Sequence, residues 1–85
     1  MNVKDRLLNL RDDSPLESGT YRAYDHALSL IETIENLNVL NWKLMQAQDD
    51  AESAGYSPDF RIEYLAALEN AHRIVLELRD NGNNE

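Results

Sequence analysis

Apolar side chains recur at intervals of three and four along almost the whole chain, and nowhere do they alternate with polar ones for long enough to make a strand. That period constrains the fold more than any other feature, because a helical pattern cannot keep one face of a strand buried. Two Ser-Pro dipeptides punctuate it. Ser14-Pro15-Leu16-Glu17 predicts a helix start, with Ser14 as the cap, Pro15 in the first helical position and Glu17 reaching back to the cap N–H. Ser57-Pro58-Asp59 repeats the cap and the proline, with Asp59 at the positive end of the helix dipole.

Four helices are expected, over about residues 3–11, 15–36, 38–54 and 58–80, with a tail at 81–85 beginning in the helix stop Asn81-Gly82. In the last, Tyr64, Leu68, Ala71, Val75 and Leu78 make a stripe that Leu65, Ala67, Ile74 and Leu76 widen, while Glu63, Glu69, Asn70, Arg73 and Glu77 fall opposite. In the second, Tyr21, Tyr24, Ala27, Leu28, Ile31 and Ile34 oppose a polar face that includes His26; Gly19 weakens its first turn, so that it begins in effect nearer Thr20. The short first helix offers Val3, Leu7, Leu8 and Leu10.

From Leu37 a new stripe runs through Leu40, Leu44, Ala47, Ala51 and Ala54. At about 100° per residue it lies roughly opposite the Tyr24–Ile31 face of an unbroken helix. A break at residues 36–38 with Asn38 as the next cap resolves the conflict. One long helix whose halves pack against different things is the alternative. The fold class is therefore all-α: a single domain over residues 1–85, built as a three- or four-helix bundle whose short connections make sequence neighbours antiparallel partners. A chain of 85 residues buries only about 60–65% of its unfolded surface, and its core supplies roughly 3–5 kcal/mol of net stability. Self-association, as a dimer, is expected on that ground.

The residues that carry chemistry are sparse. There is no Cys, no HExxH, no Asp-x-Asp-x-Asp-Gly loop, no Gly-x-Ser-x-Gly elbow and no Gly-rich phosphate loop. His72 projects to the margin of the Leu68 face, where a satisfied, partly buried histidine is the simplest reading. Glu35, Arg61 and Arg79 also intrude on apolar faces; an internal ion pair, a bundle end or a subunit interface would each account for them. The expectation is a protein that is not an enzyme and needs no cofactor or metal. No apolar run approaches a membrane span, and no apolar core follows the N-terminal residues, which reads as an unprocessed cytoplasmic protein with no membrane contact.

Charge and one aromatic residue stand out. The net charge is −8, which opposes direct binding to nucleic acid. Residues 23–60 hold seven carboxylates against Lys43 alone. The density is greatest around Asp49, Asp50, Glu52 and Asp59, with Tyr56 among them, and a surface of this kind attracts basic protein partners. A solvated, solubilising face is the plainer alternative. Trp42, the only Trp, lies off the Leu40–Ala51 stripe together with Val39 and Met45, which suits a self-association surface. Burial of Trp42 in a groove of a broad core is the alternative there.

In its size, acidity, lack of Cys and helicity the chain resembles the small acidic all-helical proteins with which phages and mobile elements inhibit host nucleic-acid machinery, of the anti-CRISPR or antirepressor type. The resemblance implies occlusion of a Lys/Arg-rich groove on a nucleic-acid-binding protein, with carboxylates standing where phosphates would lie. A structural or regulatory homodimer, acidic only for solubility, is the other expected function.

Overall fold

In a computed structural model of the chain, residues 3–82 are described, with side chains as far as Glu77. The described residues form four helices and no strand: α1 (Val3–Asp12), α2 (Gly19–Thr33), α3 (Leu37–Ser53) and α4 (Pro58–Gly82). α4 continues through Asn81 and Gly82 rather than stopping at Asp80. Leu78 and Arg79 lie outside the described side chains, and the rest of the tail lies outside the described residues.

The α2 start differs from the expectation at Ser14. The Ser14 N–H donates to the Arg11 carbonyl at 3.0 Å, and Ser14 Oγ donates to the Leu10 carbonyl at 2.9 Å, so Ser14 closes α1. Its N–H is already used and has no need of Glu17. Residues 15–18 form a turn, closed by Ser18 Oγ donating to the Pro15 carbonyl at 2.7 Å. Ser18 is the cap, extended at ψ 157°, and its Oγ accepts from the Tyr21 N–H at 3.1 Å.

α2 and α3 are separate helices, as the opposed stripes require. Residues 34–36 are non-helical, and the cap of α3 is Asn36, not Asn38. Asn36 Oδ1 accepts from the N–H groups of Asn38 and Val39 at 2.9 and 3.2 Å. Asn38 is one of the donors that a cap must satisfy. The α3–α4 turn is closed by Gly55 at φ +79°, in the left-handed region that glycine enters at no steric cost. Ser57 then caps α4, its Oγ accepting from the Phe60 N–H at 3.4 Å.

The helices pair in chain order at α1–α2 and α3–α4, as expected, but not at α2–α3. α2 and α4 form the central pair; α1 packs on α2, and α3 packs on α4 and only lightly on α2. α1 and α3 do not meet. The short α2–α3 link therefore does not make those two helices main partners. The reason lies in small residues. Gly19, Ala23 and Ala27 are buried on one side of α2, and Ala67 and Ala71 are buried on α4. A Cβ on Gly19 would collide with the Phe60 carbonyl oxygen and with the Tyr64 backbone nitrogen, so the start of α2 lies directly against α4. Gly19, expected to weaken its helix, is what permits this close approach of α2 to α4.

Leu7, Leu44, Leu68 and Val75 are the largest fully buried side chains, one each from α1 and α3 and two from α4. Asn70, expected on the polar face, is half-buried and donates from Nδ2 to the Tyr24 hydroxyl at 2.9 Å. Glu35 does not intrude on the core; it is exposed in the link between α2 and α3. Among the described residues, no helix is long and apolar enough to cross a membrane.

Candidate functional site

α3 is an edge helix, with one face on α4 and the opposite face turned outward. Spacing of four and three places Asn38, Trp42, Met45, Asp49 and Glu52 on a single outward stripe, and all five are exposed. Trp42 is 56% exposed and Met45 54%, and Val39 beside them is 43% exposed. No groove buries Trp42; its ring meets the Lys43 ammonium at 5.2 Å from the centroid. The apolar residues occupy the first half of the stripe and the carboxylates the second. Two sets of residues that look unrelated in the sequence, Val39–Trp42–Met45 and Asp49–Glu52, thus make one continuous surface.

The remaining expected site residues divide. Asp59 is exposed in the first turn of α4. Asp50 is exposed too, but it borders a cleft between α2 and α3. Tyr56 is not a free contact residue: it is half-buried, with its ring 4.7 Å from that of Phe60 and 5.3 Å from that of Tyr64. Phe60 and Tyr64 stack at 6.1 Å, and the three rings pin the acidic turn to α4.

The ion pairs are unevenly distributed. Lys4 pairs with Glu32 at 3.3 Å, Arg6 with Glu77 at 3.4 Å, Arg11 with Asp25 at 3.0 Å and with Asp12 at 3.4 Å, and Arg73 with Glu69 at 4.0 Å. Every one lies on α1, α2 or α4. Among the described residues, Asp49, Asp50, Glu52 and Asp59 take part in no ion pair. The negative field is therefore partly neutralised around α1 and left intact along the second half of α3.

The cleft between α2 and α3 encloses about 310 Å³ and is bordered by His26, Leu30, Lys43, Asp50, Tyr56 and Tyr64. His26 is exposed as a residue, but partial desolvation holds its imidazole below the ordinary value, with Arg22 lowering it further and Asp25 opposing. Burial raises the Tyr64 phenol, helped by the charge of Tyr56; Arg22 lowers it, and Asp50 adds a smaller raise. The cleft holds both signs of charge and no nucleophile bonded to a base. Among the described residues, no three His, Asp or Glu side chains are placed to hold a metal ion.

Sequence reasoning missed Asn41. It is the one buried polar residue among those described, 7% exposed, and neither Oδ1 nor Nδ2 has a hydrogen-bond partner. Its 4-3 spacing between Leu37 and Leu44 was the available signal. Leu16 and Ile62, 77% and 66% exposed, were missed as surface apolar residues; each stands apart from the α3 stripe. No protein-family model matches the chain, and no curated protein or solved structure matches it.

Proposed function

We propose that this chain is a non-enzymatic protein-binding module that docks on a basic protein surface through the outward face of α3. One observation carries the reading: Trp42 and Met45, each more than half exposed, share a stripe with Asp49 and Glu52, which have no cation of their own among the described residues. The two halves have different tasks. Burying a large apolar side chain contributes about 1.5–3 kcal/mol. An exposed ion pair contributes only about 0.2–1 kcal/mol. Trp42 and Met45 therefore supply most of the affinity, and the carboxylates supply encounter rate and choice of partner. A Lys/Arg-rich groove that receives nucleic-acid phosphates is a surface of the required kind. Occupying it would make the chain an inhibitor of the protein that owns it.

A homodimer through Val39, Trp42 and Met45 is favoured by the same exposed apolar trio. Charge separates the two readings. Pairing two chains of net −8 brings like charges together, so salt strengthens a dimer, whereas salt weakens the grip on a basic partner. The test is capture of a partner from cells that make the protein, followed by binding of the purified partner. Trp42→Ala should weaken binding by about tenfold or more through faster dissociation. The triple variant Asp49→Asn, Asp50→Asn, Glu52→Gln should slow association, and less so at high salt. A purified partner that binds both variants as well as the parent refutes the reading.

A further inference from the structure

We infer that the segment recognised by the α3 face is a basic amphipathic helix of the partner, laid along α3 as one more helix of the bundle. The inference rests on the protein-binding reading above and adds the form of the partner. α3 packs on α4, touches α2 lightly and does not reach α1, so it forms the edge of the helical layer. Its outward stripe from Asn38 to Glu52 is about 21 Å long at about 1.5 Å per residue. It is a convex ridge with side chains at spacing of four and three. Such a ridge is matched by the grooves of another helix, at about 8–10 Å between axes. A flat sheet or a single extended strand would touch only its crest.

The order of residues along the ridge sets the partner's chemistry. Val39, Trp42 and Met45 call for apolar side chains at helical spacing. Asp49 and Glu52, about two turns further on, call for Lys or Arg about two turns from those anchors. A second copy of this chain fits poorly. Lys43 is the only cation on α3, its ammonium already lies over Trp42, and each copy brings a net charge of −8.

Trp42 is the only Trp in the chain and sits on the face itself, so its emission reports occupancy directly. The probe is a synthetic helix-forming peptide of about eighteen residues without Trp, with a leucine stripe at one end and Lys/Arg at the other. Two controls accompany it: the same peptide with Glu in place of Lys and Arg, and a scrambled peptide of the same composition. The basic amphipathic peptide should shift Trp42 emission to the blue saturably, and its affinity should fall about tenfold between about 0.05 M and about 0.5 M salt. Asp49→Asn with Glu52→Gln should weaken it about three- to tenfold, as should Met45→Ser. Ile62→Ser, an exposed apolar position on α4 outside the stripe, should leave it unchanged. Far-UV circular dichroism verifies that each variant keeps its helicity.

No shift with the basic peptide overturns the inference, as does equal binding of the acidic or scrambled control. A concentration-dependent blue shift of the protein alone, strengthened by salt, overturns it in favour of a second copy. If no peptide binds while a captured partner still depends on Trp42 and Asp49, the helical form of the partner is wrong and the protein-binding reading stands.

Discussion

Replacing Asn41 by leucine should stabilise the fold. Asn41 lies in α3 near Leu40 and Leu44, which are 3% and 0% exposed, and is itself only 7% exposed. Both polar atoms of its amide lack a partner among the described residues. A buried polar group left unpaired costs about 1–3 kcal/mol, because water satisfied it in the unfolded chain and no described protein group does in the folded one. Leucine removes that cost and contributes apolar burial of about 1.5–3 kcal/mol. Against this stands the strain of fitting a γ-branched side chain into space shaped by an amide, about 1–3 kcal/mol. The expected net gain is about 1–3 kcal/mol, large beside a total of roughly 3–5 kcal/mol for a core of this size. In a domain this small, each kcal/mol moves Tm by about 4–8 °C. The assay is thermal and urea unfolding followed by circular dichroism at 222 nm. Leu44→Ala sets the scale, at a loss of about 2–5 kcal/mol. Asn41→Asp, which puts a charge where the amide is already unpaired, should destabilise. If Asn41→Leu lowers stability by more than about 1 kcal/mol with an unchanged m-value, the amide has a partner and the reasoning is wrong.

Gly19→Ala should destabilise by about 1–2 kcal/mol despite the better helix propensity of alanine, because the new methyl meets α4 backbone that has no room to move; unchanged or raised stability refutes the close α2–α4 contact. Ser18→Ala should cost about 1 kcal/mol, and Ser14→Ala less, since Ser18 rather than Ser14 holds a free α2 N–H; the reverse order in urea unfolding would restore the Ser14 cap. His26 should titrate below its ordinary value of 6.5 in an NMR pH series. The unfolded chain then takes up this proton first as pH falls. The contribution of His26 is thus full above 6.5, falls as pH drops through the folded-state value, and disappears from the pH profile in His26→Gln. A midpoint at or above 6.5 contradicts the partial desolvation in the α2–α3 cleft.

Local chemistry along the chain determined the helices themselves. The 3.6-residue period, the Ser57-Pro58 start and the clash between the Tyr24–Ile31 and Leu40–Ala51 faces were enough to place four helices and the break between α2 and α3, because caps, prolines and stripe angles act within a few residues. The asymmetry of charge, and the departure of Trp42, Met45 and Val39 from the buried stripe of α3, were legible for the same reason. Only the tertiary structure decided that α2 takes α4, and not α3, as its main partner. That choice depends on how closely two backbones approach, and the Gly19 contact with α4 is invisible in a hydrophobic pattern. Tertiary packing also decided that Ser14 finishes α1 instead of starting α2, that Tyr56 is held by Phe60 and Tyr64, and that Asn41 is buried without a partner among the described residues. It spread the ion pairs as well, joining cations of α1 to carboxylates far away in the sequence, such as Arg6 to Glu77, and leaving Asp49 and Glu52 beside Trp42 without any among the described residues. Long-range pairs of this kind obey distances in space, which periodicity along the chain does not encode.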